Sequence, residues 1–217
     1  LQSKPNASFD QVALSEKLQQ LGIGPDMGQL ISSQTAQDFV GIKRSGVWFP
    51  SAGSINLGRL CEDLVQQSLG LRTAWERTVA RIQKENGIWL AFDQKGDLLE
   101  RAHTVILANA FGAQDLLSPF GIHLFLKPVR GQLSIFGLAK NSKLIQQLPK
   151  KIISGEGYCL PARYDTQHQY YRWLVGSTYD EQDDYLEPRA ISDHHNLQLA
   201  KGILAPTELK IDELHPI

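Results

Sequence analysis

The chain has 217 residues, 42% of them hydrophobic, and a formal net charge of -1 from 22 Lys and Arg against 23 Asp and Glu. That apolar content excludes disorder as the default, and the length suits one large domain or two small ones. Near-neutral charge gives no global attraction to nucleic acid or an anionic membrane, though it leaves room for a local basic patch.

Val12 to Leu21 reads as a helix, marked by Val12, Leu14, Leu18 and Leu21 and stopped by Gly22. The glycines at 22, 24 and 28 then read as a helix cap and turn. A dinucleotide loop would follow a buried strand and open a helix, and Pro25 removes an N–H that such a loop needs. Val47 to Pro50 predicts a short strand, with a turn at Ser51-Ala52-Gly53. Asn56 is placed to cap a helix from Leu57 to Leu69 that Gly70 ends. Leu57, Leu60, Cys61, Leu64, Val65 and Leu69 form one stripe at helical spacing, which predicts a core face containing Cys61.

The period then changes. Thr78 to Ile82 and Ile88 to Phe92 predict strands joined through Glu85-Asn86-Gly87, with a further turn at Gln94-Lys95-Gly96. Thr104 to Ala108 is short, apolar and β-rich, so a strand buried on both faces is expected. Small residues follow it: Asn109, Ala110, Gly112 and Ala113. Phe125 to Phe136 predicts a long alternating strand with Val129, Leu133 and Ile135 on one face and Arg130, Gln132 and Ser134 on the other. Gly157 to Pro161 and Tyr170 to Thr178 predict two more strands. Asp180 to Glu187 reads as an acidic loop, and Ser192 or Asp193 caps a helix through Leu204.

The fold class is therefore mixed α and β, with a nucleotide-binding layer and a separate antiparallel sheet. Cys61 and Cys159 lie far apart in sequence, which fits a reducing compartment and builds no zinc site. No histidine stands at metal-ligand spacing from a cysteine. The neighbours His194 and His195 read as surface residues. Trp48, Trp75, Trp89 and Trp173 are spread over separate elements and predict core or interface roles rather than base stacking. No signal peptide and no apolar run of about 18 residues is present, so a cytoplasmic protein without a membrane span is expected. The chain opens on Leu1 and closes on Ile217 with no finishing element, so both ends read as cut. There is no Gly-x-Ser-x-Gly elbow, no His-Glu-x-x-His and no P-loop.

Five strings carry a family likeness. They are Val47-Trp48-Phe49-Pro50-Ser51-Ala52-Gly53, Val105 to Ala113, Lys127-Pro128-Val129-Arg130-Gly131-Gln132, Gly157-Tyr158-Cys159-Leu160-Pro161, and Leu174 to Asp180. In order and spacing they resemble the "FxPxxG", "vvlAnGa", "PvRGQ", "GYxxP" and "iGsTy" segments of the D-amino-acid-oxidase-like FAD-dependent oxidoreductases, from about Leu14 to Leu204. The Gly-Ser-Thr-Tyr-Asp string, its acidic follow-on and the Asp193-His194-His195-Asn196 helix start resemble the oxidase half of bacterial bifunctional enzymes of tRNA wobble-uridine modification.

The resemblance implies part of a Rossmann-like FAD-binding domain plus an antiparallel substrate domain. Residues 1–46 would be the helical start of the substrate domain, 47–118 the second part of the FAD domain, and 119–217 the substrate sheet with its helix. It implies FAD as cofactor and oxidation of a C–N bond, with tRNA or a small amine or amino acid as substrate. A glycine- or sarcosine-type oxidase and a non-catalytic binding module stand as alternatives. Thr78 and Val79 would meet the adenine through their backbone, and Ala108, Asn109, Ala110 and Gly112 would lie beside FAD. Arg130, with Gln132 on the same face, would orient a substrate carboxylate, and the Tyr158 hydroxyl would reach the substrate. The family's opening Gly-x-Gly-x-x-Gly loop and its closing Gly- and Arg-bearing segment are not in this sequence. The chain alone is therefore expected to be inactive, not to retain FAD, and to need an added contact or self-association to cover its open sheet edge.

Overall fold

A computed structural model describes residues 11–204 together with Leu214, Pro216 and Ile217, with side chains from residue 13 onward. The Val12 side chain and the closing His215 thus lie outside the described residues. Two compact units emerge: Leu1–Ile55, Arg130–Asp180 and Asp184–Ile217 form one, and Asn56–Val129 with Glu181–Asp183 form the other.

In the first unit, α1 (Gln11–Gln20) ends where the sequence places its stop. Gly22 takes φ +69°, and the Gly22 and Ile23 N–H groups return to Gln19 and Leu18 carbonyls at 2.9 and 2.8 Å. Strands β1 (Gln29–Ile31) and β2 (Gly46–Trp48) pair antiparallel around α2 (Ser33–Phe39). That helix escapes the sequence pattern although Ser32 caps it, accepting from the Thr35 N–H at 3.1 Å.

The second unit opens on α3 (Leu57–Gln67), whose cap is as predicted: the Asn56 side chain accepts from the Arg59 N–H at 3.0 Å. Its apolar stripe is not a core face. Cys61 is exposed and Leu57 and Leu64 are 67% and 57% exposed, because no described element packs on that side of the helix. A meander follows, β3 (Arg81–Glu85), β4 (Ile88–Phe92) and β5 (Leu98–Ala102). Asn86 and Gly87 take φ of +50° and +83°, the pair of left-handed residues that a two-residue hairpin needs. That turn pairs Glu85 with Ile88 and carries the register to Arg81–Phe92, so the first strand starts later than Thr78. Gly96 at φ +88° reverses the chain into β5, which the sequence left unassigned.

Thr104 to Ala108 is not a buried strand. It runs without a ladder, and Ile106 is 85% exposed. A parallel-type strand exists only through neighbours, and none of the described strands pairs with it. Short turns of 3-10 helix and α4 (Ala113–Leu117) complete this stretch.

The long strand breaks at Gly131-Gln132 into β6 (Val129–Arg130) and β7 (Leu133–Leu138). The five-stranded sheet is built from β7, β8 (Ile153–Ser154), β9 (Tyr158–Cys159), β10 (Arg163–Asp165) and β11 (Tyr170–Gly176). β12 (Asp180–Glu181) pairs with β6. Beyond β7, the chain end joins the same sheet edge, with the Ile217 N–H on the Ile135 carbonyl at 3.0 Å. Helix α5 (Ala190–Leu204) begins before Ser192 and Asp193, so neither is its cap. Both stand in the first turn and turn their side chains toward the sheet instead.

One face of the sheet packs on α5. Phe136, Leu138, Cys159, Trp173 and Val175 meet Leu197, Ala200, Ile203 and Leu204 there. Cys159 is fully buried, and that burial pushes its thiol up to about 12. Among the described residues no helix is long and apolar enough to cross a membrane, and no cluster of metal-ligating side chains occurs.

Candidate functional site

The alternation along 129–135 is as predicted, and the polar set is the one that faces inward. Arg130, Gln132 and Ser134 are buried, while Val129 and Leu133 are 42% and 48% exposed. Charge goes inward because partners wait for every donor. Arg130 Nε donates to the Tyr185 carbonyl at 2.9 Å. One terminal nitrogen donates to Ser192 Oγ at 3.0 Å and Asp180 Oδ2 at 3.4 Å. The other donates to Gln132 Oε1 and to the Glu187 carbonyl at 2.9 Å. All five guanidinium N–H groups are thereby engaged within the protein. Gln132 is equally committed. Its Nε2 donates to Asp193 Oδ1 at 2.7 Å and to the Arg189 carbonyl at 3.1 Å. Its Oε1 also accepts from the Arg189 N–H at 2.8 Å. Ser134 donates to Asp193 at 2.6 Å, and Asn196 Nδ2 donates to the Gln132 carbonyl at 2.8 Å. A buried charge is tolerable only with such a full partner set.

Tyr158 lies on the other side of the sheet. Residues directly opposite in a ladder share a face. Val175 pairs with Ser134 and Cys159, on the α5 side, while Gly176 pairs with Leu133 and Tyr158. The open face thus carries Tyr158 with Ser154, Leu133, Ile135 and Leu174. Gly176 sits in the middle of it, where an added Cβ would stand 2.6 Å from Leu133 Cδ2. A side chain there would displace the end of Leu133, while the backbone of Gln132 and Leu133 stands at ordinary contact, 3.5 Å. The structure therefore brings Arg130 and Gln132 together and separates both from Tyr158. A pattern of Gly, Leu and Ile alternating around one phenol is the signal of this face; sequence reasoning found Tyr158 but not its apolar surround.

The remaining candidates lie in the second unit. Thr78, Val79, Ala108, Asn109, Ala110 and Gly112 are all exposed. Ala110 takes φ +47°, and a Cβ at Gly112 would meet Asn109 Nδ2 at 3.1 Å, so this turn closes on itself tightly. A separate cleft of about 680 Å³ in the first unit has Val40, Ile42, Trp48 and Ile203 among its walls. None of the sequence-named candidates lines it.

The family model described as DAO, FAD dependent oxidoreductase, matches residues 4–214. The chain belongs to this family. Among curated relatives of this DAO-family chain, the tRNA 5-methylaminomethyl-2-thiouridine biosynthesis bifunctional protein MnmC of Cupriavidus necator is 32% identical over 170 residues, 78% of this chain and 25% of that protein. The MnmC of Thiobacillus denitrificans is 32% identical over 73% of this chain and 24% of its own length. The chain thus spans about a quarter of the length of these relatives. The crystal structure of glycine oxidase from Geobacillus kaustophilus superposes with TM-score 0.66 at 17% identity, covering 89% of this chain and 52% of that one. Glycine oxidase from Bacillus cereus gives 0.66 at 15%, over 91% and 53%. The mixed α and β fold, with separate antiparallel sheets, is theirs.

FAD, which the family implies, suits part of what is present. The exposed, unladdered backbone at Thr78–Val79 and Val105–Asn109 offers N–H and C=O groups beside a small-residue turn. No described helix is entered through a Gly-x-Gly-x-x-Gly loop, so these residues fit the cofactor's flat, uncharged parts and do not supply a grip for its pyrophosphate.

Proposed function

We propose that this chain is part of a flavoenzyme that oxidises a C–N bond, and that its substrate is the carboxymethylaminomethyl group of a tRNA wobble uridine. The observation that supports it is the open sheet face: one phenol, Tyr158, with Ser154 opposite it and Leu133, Ile135 and Leu174 beside it, in a chain that is 32% identical to the MnmC of Cupriavidus necator. FAD, when bound, supplies the acceptor for a hydride from the carbon beside nitrogen. Thr78, Val79, Ala108, Asn109, Ala110 and Gly112 are the residues that would border it.

The protein's own contribution is positional. Tyr158 presents one donor and acceptor on a rigid apolar body, which orients a polar substrate group. Leu133, Ile135 and Leu174 exclude water around it. Arg130 and Gln132 act from the opposite side by fixing the backbone that carries Leu133. The test is anaerobic flavin reduction in the intact flavoprotein. tRNA carrying carboxymethylaminomethyluridine should reduce the flavin and free glycine should not. Reduction by glycine with none by tRNA would replace this reading with a free amino-acid oxidase. No reduction by either amine would leave a binding module.

A further inference from the structure

On the open face, Arg163 of β10 stands directly opposite Arg172 of β11. Like charges opposite each other on neighbouring strands destabilise the sheet. The nearest carboxylate does not resolve this. Asp165 Oδ1 accepts from the Gln167 and His168 N–H groups at 3.0 and 3.1 Å. Its Oδ2 lies 3.0 Å from His168 Nδ1 and 3.5 Å from Arg172. The hydrogen bond from the His168 side chain holds this carboxyl below the usual carboxylate range. Arg172 is therefore partly offset, and Arg163 has no ion pair among the described residues. Both arginines are exposed.

The segment that carries them is basic in sequence. In the stretch Arg130–Asp180, seven Lys and Arg stand against Glu156, Asp165 and Asp180, a net +4 within a chain of -1. Distance then selects the ligand. Arg172 precedes Gly176 by four residues on β11, and Gly176 pairs with Tyr158. At roughly 3.4 Å per residue the arginines stand about 14 Å from the Tyr158 row. A free amino acid cannot bridge that gap, since its carboxylate is two bonds from its amine. A polymer with phosphates along its backbone can.

We propose that Arg163 and Arg172 form a phosphate subsite, on which the backbone of a nucleic-acid substrate docks while its reacting base extends toward Tyr158. This rests on the tRNA reading above. Two guanidinium forks suit phosphate oxygens better than point charges would.

The test is the affinity of a fluorescein-labelled RNA stem-loop for the chain, followed by anisotropy across a salt series. In Arg163→Ala/Arg172→Ala, binding at ~0.1 M salt should weaken on the order of tenfold, and the log–log salt slope should flatten by about 1.4 to 1.8, the value for two lost phosphate contacts. Arg163→Gln, which keeps the Arg172–Asp165 pair, should lose about half of that slope change. Circular dichroism should be unchanged in both. Unchanged affinity and slope in both variants would overturn the subsite while leaving the tRNA reading intact. No binding by the unmutated chain would overturn the subsite, and tRNA-dependent flavin reduction would then decide the function separately. Binding of phosphatidylserine vesicles in place of RNA, lost in the same variants, would also overturn it, by reassigning the arginines to a membrane surface.

Discussion

Replacing Arg130 with methionine keeps the apolar stem and removes all five donors. Asp180 loses its cation, but at 42% side-chain exposure it rehydrates, so little of the cost sits there. The Tyr185 and Glu187 carbonyls, Ser192 Oγ and Gln132 Oε1 lose a charged donor. Each such loss costs about 1 kcal/mol net, more where water cannot enter, so the sum is about 3 to 4 kcal/mol. That corresponds to two to three decades in the folding constant. Urea unfolding followed by Trp fluorescence reads it directly, because Trp173 is fully buried in the same unit. Limited proteolysis should also show cleavage between Glu181 and Arg189, since Arg130 ties down two carbonyls of that stretch. Arg130→Lys should recover less than half of the loss, because an ammonium cannot reproduce the fork. A midpoint unchanged by Arg130→Met, with no new cleavage, would refute the reasoning and return the guanidinium to the list of substrate ligands.

Tyr158→Phe should leave flavin content of the intact protein unchanged and lower the rate of flavin reduction about tenfold to a hundredfold, the worth of one hydrogen bond to a charged group; an unchanged rate would make Tyr158 structural. The 217-residue chain purified alone should be colourless, and a flavin absorption band surviving gel filtration would contradict that. Sedimentation should show concentration-dependent association through the exposed stripe of α3, abolished by Leu57→Glu/Leu64→Glu; a monomer at all concentrations would count against it. Cys61 should react with a thiol reagent at pH 8 while Cys159 does not, and raising the pH should destabilise the fold through Cys159. Its folded pKa, pushed up by burial to about 12, lies above the unfolded value, so its contribution is complete below about pH 8.5 and is lost as pH rises toward 12. An unfolding midpoint flat from pH 8 to 10 in the wild type, matching Cys159→Ala, would refute it.

Local chemistry was the legible part of the fold. Asn56 before Leu57, Gly22 after Gln20 and Asn86-Gly87 between two apolar runs each act through atoms within four residues, so spacing alone locates them. What depends on partners distant in sequence was not legible. Thr104 to Ala108 has the composition of a central strand, yet composition cannot form a ladder, and without one Thr104, Ile106 and Ala108 stay exposed. The stripe on α3 fails as a core for the same reason: amphipathicity states that a face wants cover and not that cover is present.

The candidate site adds a second lesson about faces. Alternation along Val129 to Ile135 correctly divides the residues into two sets but does not say which faces inward, and the rule that apolar sets face inward would choose the wrong one. The rule assumes that a buried cation costs more than a buried leucine gains. Here the cost is offset by partners that lie 50 to 64 residues downstream, at Asp180, Tyr185, Glu187, Ser192, Asp193 and Asn196, and no window on the strand itself contains them. The inversion has a functional consequence. Turning the polar set toward α5 leaves Leu133, Ile135 and Leu174 outward around Tyr158, with Arg163 and Arg172 further along the same face. The proposed tRNA substrate would use both ends of this face, the Tyr158 row for its base and the paired arginines for its backbone. Had Arg130 and Gln132 faced outward, they would have stood within a few residues of Tyr158 and suited a small carboxylate instead.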